Sequence, residues 1–502
     1  VIDHLCLIQD IRISPWRSVI QYQNSDKSAA EISKGLNVNY LVETHFSFID
    51  NKTQIVFKLI DGPNNNQIST LPYPLDFDNI TTIYQEIAYE MAQQINVKLT
   101  PDEKQRIKKG VTKNRIALNY YDKAEEYFSK QSFEKAHESY EKAIELDANF
   151  ALAYAKLAQL QLNLYNETKE EDFLKRSKTN AKLALVNDNE LDVVHIVNAL
   201  LSENDDDTEG AVKFYEKAIQ FNPNSAYSYL RLSSLYSLNE LAIPSKSVEY
   251  AIKAVQYNTS TQEPKDNAQL YHRASQVLRR YGLYNESLYY NGLARKLDPD
   301  RFTYITEHAE IMVEKDRNYS NTIEIATEHR IKNPDNPGPL RCLFRNYYFL
   351  ENFEAAYECY LKLKEIVEPG EPLFWAKRRF YSRMVIIYKH LGKNDESDNF
   401  LNLYITHESG EINRYNNSFF KISLHCLEND IPKAFSFLEE LSNEKAFIST
   451  TIRMLEDDPI FTDLRAHPEF KRILKKMKTK FGNEKKRVEK SLNEKGLLTV
   501  NR

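Results

Sequence analysis

The sequence predicts a mostly α-helical fold: a right-handed superhelix of about eight to nine helix pairs that follows a small N-terminal α/β domain. A pattern of small and large residues between Asn119 and Asn149 recurs along the chain, as a stack of helix pairs requires. Twelve glycines in 502 residues are few, which disfavours strand-rich folds and favours helices joined by short links. The 32 tyrosines and 25 phenylalanines supply the large side chains that interlocking helices need.

The first copy of this pattern reads as two short antiparallel helices. Ala124 and Ala136 stand where the two helices approach most closely, because a bulkier residue at either position would push them apart. Larger side chains fill the space beside them: Tyr127, Phe133 and Tyr140. The pattern resembles a tetratricopeptide (TPR) repeat, a helix-turn-helix unit of 34 residues. One such unit cannot bury its apolar face alone, so the resemblance implies a stack of repeats.

A later copy repeats the intervals of the first. Ala199, Ala211, Tyr215, Ala218 and Pro223 are separated by twelve, four, three and five residues, as are the matching positions of the first copy. Four copies match the pattern well, and weaker ones predict further helix pairs.

These copies predict a repeat array over residues 105–445. Residues 458–470 resemble the C-terminal cap of bacterial TPR arrays, and the charged helix that follows suits the end of a solenoid. We therefore expect residues 446–502 to form capping helices and a frayed tail.

Residues 1–104 lack the repeat pattern and predict a separate small α/β domain. Two runs rich in β-branched and aromatic residues flank a short polar turn, which is typical of a hairpin. The predicted elements are a helix at Ser28–Gly35, strands at Tyr40–Ile49, Gln54–Ile60 and Ile68–Leu75, and a helix at Ile80–Leu99.

The order of these elements resembles the N-terminal domain of TolB-like proteins that precede TPR arrays in bacterial regulators. The matching stretches are EISKGLNVNYLVETHFSFIDNKTQIVFKLID and ITTIYQEIAYEMAQQINVKLTPDE. The opening strand and helix of that family are missing, so we expect a truncated domain whose edge strand is exposed or covered by residues outside this chain. The chain begins at Val1 and not at methionine, which also indicates a fragment of a longer protein.

Composition and motifs disfavour several classes of function. A net charge of −5 and a pI near 6.2 argue against direct nucleic-acid binding. No apolar run of about 18 residues predicts membrane insertion. Phosphate-binding, nucleophile-elbow and zinc-protease motifs are absent, and the four cysteines lack metal-ligand spacing, so we expect no enzyme, cofactor or metal. Cys342 and Cys359 either meet across one hairpin or remain two reduced core thiols.

The TPR resemblance implies a concave groove lined by the first helix of each repeat. In the first four repeats the lining positions are largely apolar and suit an extended or helical apolar segment. They are Leu118, Tyr121, Glu125, Phe128, Leu152, Gln159, Leu162, Val193, Ile196, Tyr227 and Leu230. In later repeats they are mostly basic and suit carboxylates or phosphates. They are Gln269, His272, Gln276, Arg279, Arg341, Arg345, Tyr348, Arg379 and Lys389. The alternative is that these arginines are ordinary charges paired with glutamates such as Glu307 and Glu314.

We therefore expect a non-catalytic scaffold in bacterial signalling that binds a protein or peptide, an acidic one in the basic part of the groove. The resemblance also implies an alternative, in which this region is the regulatory or sensor part of a larger protein. A transcriptional regulator domain or a nucleotide cyclase would then lie upstream of Val1. A membrane helix between the two parts would place this region in the periplasm; otherwise we expect it in the cytoplasm.

Overall fold

The computed structural model describes most of the chain. The described residues are 5, 8, 11, 13, 14, 19, 22, 23, 25–36, 38–49, 52–74, 80–109, 111–237, 241–257, 264–367, 377–410 and 418–498. They form two compact units. Unit 1 comprises Val1–Leu235 and Lys253–Pro264, and unit 2 comprises Tyr236–Ile252 and Lys265–Arg502.

The N-terminal part of unit 1 contains helices and a small sheet. Its elements are α1 (Ala29–Leu36), β1 (Tyr40–Ile49), β2 (Lys52–Asp61), β3 (Asn66–Pro74), α2 (Ile80–Gln94) and α3 (Pro101–Lys109). The strands form an antiparallel sheet in the order β1-β2-β3, with Tyr40 opposite Asp61, which confirms the predicted hairpin. The third strand was expected to reach Leu75, which lies outside the described residues.

Helix α2 is shorter than the sequence predicts. It ends at Gln94 and not at Leu99, because Asn96 adopts a left-handed conformation with φ of 59°. The amide of Val97 then donates to the carbonyl oxygen of Ala92, which closes the helix in the manner of a Schellman motif.

One half of the sheet face is covered and the other half is exposed. Ile55 and Phe57 of β2 are buried against Ile87 of α2. Phe46 shares a face with its partner Ile55 but is 69% exposed, and Phe48 is 71% exposed. Among the described strands, β1 is therefore an edge strand with an exposed apolar face. The TolB-like assignment itself stays a prediction.

The rest of the described chain is helical, with nine consecutive helix pairs. In unit 1 they are α4 (Arg115–Ser129) and α5 (Phe133–Leu146), α6 (Ala151–Thr168) and α7 (Glu171–Asn187), and α8 (Asp192–Asn204) and α9 (Thr208–Phe221). The pair α10 (Ala226–Tyr236) and α11 (Pro244–Gln256) is divided between the units.

Unit 2 contains the other five pairs and the C-terminal helices. The pairs are α12 (Pro264–Arg280) and α13 (Tyr284–Leu297), α14 (Phe302–Asp316) and α15 (Tyr319–Lys332), α16 (Pro337–Phe349) and α17 (Phe353–Ile366), α18 (Lys377–His390) and α19 (Asn394–Gly410), and α20 (Ser418–Leu427) and α21 (Ile431–Asn443). They are followed by α22 (Ser449–Asp457), a 3₁₀ turn (Pro459–Phe461), α23 (Thr462–Ala466) and α24 (Pro468–Glu494).

Each pair turns on one residue in the left-handed region. A chain that reverses direction within a few residues of a helix end needs such a conformation to close the helix. Only two of the nine are glycine; the set is Gln131, Lys169, Asp206, Ala242, Gly282, Arg317, Glu351, Gly392 and Asn429. This explains how a glycine-poor chain still makes nine reversals.

The predicted interlocking residues form the core of the first pair. Ala124 and Ala136 are both fully buried, and they pack in one cluster with Tyr140 and with Leu157 of the next pair. The small residues therefore lie at the close approach of α4 and α5, as the spacing predicts.

The described cysteines are free thiols. Cys342 lies on α16 and Cys359 on α17, and both are buried and unpaired with each other. Of the two alternatives for this pair, the structure shows reduced core thiols; Cys6 lies outside the described residues. No described helix combines the length and the apolar composition needed to span a membrane.

Candidate functional site

In unit 1 the predicted groove aromatics are half-buried between helices. The Tyr121 ring lies 6.0 Å from that of Tyr140 and 5.4 Å from that of Phe150, so one aromatic side chain links α4, α5 and the start of α6. Phe128 packs against Phe133 across the hairpin, with ring centroids 5.8 Å apart. Tyr121 and Phe128 thus pack between helices of the repeats, and each side chain keeps part of its own surface accessible.

Most other predicted lining positions of unit 1 also remain accessible. Tyr227 on α10 is 44% exposed, whereas Leu162 is only 3% exposed and belongs to the core. The first helices α6 and α8 contact each other directly, so accessible residues of consecutive repeats lie on neighbouring helices. The half-buried members of this set are Leu118, Tyr121, Glu125, Phe128, Leu152, Gln159, Val193, Ile196 and Leu230.

A charged pair interrupts this apolar surface. The Lys156 ammonium lies 3.0 Å from the Glu125 carboxylate, and the side chains are 27% and 35% exposed. Glu125 also accepts a hydrogen bond from the buried Tyr140 hydroxyl, which fixes the carboxylate at this position.

In unit 2 the predicted basic residue Arg279 is neutralised by the chain itself. Its guanidinium lies 2.8 Å from Glu307 and 2.8 Å from Glu314, and its side chain is 14% exposed. Both carboxylates are nearly buried, at 5% and 0% side-chain exposure. Arg279 thus pairs with Glu307 and Glu314, which was the alternative to a ligand-binding role.

The remaining predicted residues of unit 2 lie in different surroundings. Arg345 forms an ion pair with Glu310, and Arg341 is half-buried. The His272 ring is half-buried 4.8 Å from that of Tyr304, and burial lowers its pKa. Three residues are exposed: Gln269, Arg379 and Lys389.

Tyr348 is not accessible to a ligand. It is fully buried, and its hydroxyl donates a 2.7 Å hydrogen bond to Asp458, which is itself 1% exposed. The predicted register placed Tyr348 in an open groove. That placement is wrong, because the segment that follows the repeats lies against it.

The C-terminal segment extends over several hairpins of unit 2. The Ser449 hydroxyl donates to the carbonyl oxygen of Arg279 at 2.9 Å, and the Thr450 hydroxyl donates to Glu314 at 2.6 Å. Further along, the Phe481 ring lies so close to Gly282 that a Cβ there would approach it to 3.2 Å. The segment predicted as a terminal cap therefore also covers side chains on the first helix of several helix pairs in unit 2.

Several arginines lie close together where this segment packs against the repeats. Arg383 stacks over the rings of Tyr348 and Phe349, 5.4 and 5.1 Å from their centroids, and Arg453 lies 5.1 Å from the Phe349 ring. Burial, and then the positive charges of Arg383, Arg453 and other arginines, lower the pKa of Arg345, while its ion pair with Glu310 favours the charged form. This interior is rich in positive charge.

Sequence reasoning missed Arg383 and Arg453. Arg383 follows Arg379 by four residues and so lies on the same face of α18, which is a signal that the sequence contains. Arg453 belongs to the C-terminal segment, whose position against the repeats no local pattern indicates. Among the described ranges, no cluster of three His, Cys, Asp or Glu residues could hold a metal ion.

A comparison with protein families matches one part of the chain. The sequence model of the TPR repeat matches residues 124–164, which span the end of α4, all of α5 and most of α6. This stretch is therefore similar in sequence to a TPR repeat. No curated protein sequence matches the chain.

Solved TPR structures resemble parts of the chain. PilF of Pseudomonas aeruginosa is 18% identical, covers 44% of this chain and 93% of its own, and has a TM-score of 0.34. YrrB, a TPR protein described as having an unusual peptide-binding site, is 17% identical over 39% of this chain and 91% of its own, with a TM-score of 0.28. A TPR protein from Parabacteroides merdae is 14% identical over 63% of this chain and all of its own, with a TM-score of 0.31. No function follows from these likenesses.

Proposed function

We propose that this chain is a non-catalytic scaffold that binds a protein or peptide segment on the first helices of unit 1. The observation that carries the proposal is the set of accessible apolar and aromatic side chains on α4, α6, α8 and α10, of which Tyr227 is the most exposed at 44%. Stacked helix pairs present such side chains in a row, which suits an extended or helical partner segment.

The chemistry of this surface favours an amphipathic partner. Tyr121, Phe128 and Tyr227 offer apolar ring surface to apolar side chains, and such aromatic anchors contribute much of the affinity in typical interfaces. The Lys156–Glu125 pair among them provides one donor and one acceptor for polar groups of the partner.

Unit 2 contributes less to this proposal. Arg279 and Arg345 pair with carboxylates of the chain, and Tyr348 is buried. We therefore do not propose that a long acidic segment binds across these residues. The role in bacterial signalling rests on the TolB-like resemblance of residues 1–104 alone.

The test is a selection of random displayed peptides against the intact chain, followed by affinity measurements on the selected peptides. We expect Tyr227→Ser to weaken binding about tenfold, because losing an exposed aromatic anchor costs roughly 1–2 kcal/mol. Fluorescence anisotropy with labelled peptide measures the change.

Tyr289 on α13 is the matched control. It is 47% exposed, but it lies on the second helix of its pair. Tyr289→Ser should leave the affinity unchanged. Equal affinities for wild type and Tyr227→Ser would remove this surface as the binding site.

A further inference from the structure

A small pocket opens within unit 2 beside the buried arginines. Its volume is about 210 Å³, and its walls come from α12, α18, α20, α21, α22, the loop before α22 and the residues between α10 and α11. Tyr281, Phe419, Phe447 and Met454, each less than a tenth exposed, form much of the apolar wall. The pocket therefore combines a concave apolar wall with a larger share of polar groups, which could orient a bound ligand.

Two arginines that have no carboxylate partner among the described residues line the same pocket. Arg280 is the last residue of α12 and Arg379 lies in the first turn of α18, and both are exposed. Within the part of the chain that the structure describes, neither forms an ion pair. Arg279, one residue before Arg280, has two carboxylate partners, so pairing in this region is selective.

The surroundings of Arg379 add positive potential. Although part of the Arg379 side chain is accessible, desolvation of its guanidinium, and then the charges of Arg383 and Arg453, lower its pKa to about 10, while Asp458 opposes them. An anion placed against Arg379 would offset the repulsion between these guanidinium groups. The pocket is thus electrostatically prepared for a negative charge.

The pocket also contains one carboxylate. Glu444 lines it, and Lys480 donates a hydrogen bond to the backbone carbonyl oxygen of that residue. The four arginines at or around the pocket outnumber Glu444 and Asp458, and this net positive charge favours an anionic ligand. Planar carboxylates also match the fork of an arginine side chain.

We propose that this pocket binds a carboxylate attached to a single apolar or aromatic group, with Arg280 and Arg379 holding the carboxylate. Pockets for drug-sized ligands measure roughly 300–1,000 Å³. At about 210 Å³ the pocket is below that range, so it admits a group the size of one side chain. The ligand is a free monocarboxylic acid or the C-terminal residue of a peptide. This inference does not depend on the proposed function, since it concerns another unit and another ligand.

The experiment uses the intact chain and two probes of equal shape, 3-phenylpropanoate and 3-phenylpropanamide. Isothermal titration calorimetry at neutral pH should show saturable binding of the acid, and at least tenfold weaker binding of the amide. Arg379→Gln and Arg280→Gln should each weaken binding of the acid about tenfold or more, the loss expected for one charge-assisted contact.

Lys362→Gln is the control variant. Lys362 is an exposed cation on α17 and does not line the pocket. It should bind the acid as wild type does, and circular dichroism should show that all three variants remain folded. Equal binding of acid and amide, equal weakening in Lys362→Gln, or no saturable binding of the acid to the folded chain would each overturn the proposal.

A third probe distinguishes the two sources of the ligand. A short glycine peptide that ends in phenylalanine with a free carboxylate presents the same group on a backbone. If it binds more tightly than 3-phenylpropanoate, the ligand is a peptide terminus. If it binds more weakly, the pocket accepts a free acid. Either conclusion holds only if Arg379→Gln also weakens the binding of that probe.

Discussion

The hydroxyl of Tyr348 donates a 2.7 Å hydrogen bond to the carboxylate of Asp458, which lies 110 residues further along the chain. Asp458 is also the cap of the 3₁₀ turn, because the same oxygen accepts from the amide of Ile460 at 3.1 Å. One buried carboxylate therefore joins a hairpin of the repeat array to the C-terminal segment.

Tyr348→Phe removes this bond and keeps the ring. We expect the free energy of unfolding to fall by about 1.5–3 kcal/mol, the range for a buried hydrogen bond to a charged group. Urea unfolding followed by circular dichroism measures it. The control is Tyr347→Phe, since the Tyr347 side chain is half-buried and its hydroxyl has no hydrogen bond to the described residues. Equal effects of the two substitutions would contradict the assigned role of the Tyr348 hydroxyl.

Glu314→Gln tests the buried charge network. Glu314 contacts Arg279 at 2.8 Å and lies 3.7 Å from Arg453, and its side chain is fully buried. Breaking a buried ion pair costs about 3–5 kcal/mol, and we expect the lower end because Arg279 keeps Glu307. Urea unfolding measures the change.

The control for Glu314 is an exposed pair. Glu469 and Arg472 lie 3.2 Å apart and are each 60% exposed. Glu469→Gln should change the free energy of unfolding by less than about 0.5 kcal/mol. A Glu314→Gln protein as stable as wild type would show that the buried charges do not hold α22 in place.

Ala136→Trp tests the register of the first repeat. Ala136 is fully buried against α4, so the larger side chain must displace a helix, at a cost of about 1–3 kcal/mol or more. Thermal unfolding measures the loss. Glu138→Trp, at an exposed position of the same helix, should be nearly neutral. No loss in Ala136→Trp would contradict the close approach of α4 and α5.

His195 should make stability depend on pH. It is 1% exposed, its Nε2–H donates to the carbonyl oxygen of Asn189 at 2.7 Å, and its ring stacks on that of Phe221. Its Nδ1 has no hydrogen-bond partner among the described residues, so a second proton would have no acceptor there. Burial is the largest cause that lowers the pKa of His195, and Lys217 lowers it further.

The sign of the effect follows from these two states. The pKa of the unfolded chain is near 6.5, above that of the folded protein. At higher pH the ring is neutral in both states. Below pH 6.5 only the unfolded chain takes up the proton, so the free energy of unfolding falls with falling pH. His195→Gln should reduce the slope between pH 7.5 and 5.5 in urea titrations, and His45→Gln, at an exposed position, should not. Identical slopes for wild type and His195→Gln would refute the prediction.

Local packing could be predicted from the sequence, and long-range packing could not. The contact between Ala124 and Ala136 could be predicted, because helix packing within a hairpin depends on spacing over a few residues. The partners of Arg279 were predictable as an alternative, since Glu307 and Glu314 belong to the adjacent repeat. Nothing periodic relates Tyr348 to Asp458, so the register placed Tyr348 in an open groove. The predicted lining positions of unit 1 lie closer to expectation, since most of them are half-buried or exposed.

The position of the C-terminal segment sets an order of events during translation. A ribosome adding about 5–20 residues per second delivers Asp458 roughly 5 to 20 seconds after Tyr348, given their separation of 110 residues. During that interval the nascent hairpins of unit 2 hold Arg279 and Glu314 without the hydroxyls of Ser449 and Thr450. Unit 2 is complete only when the last helix has left the exit tunnel, so a prematurely terminated chain retains an unfinished core and becomes a substrate for chaperones or proteases.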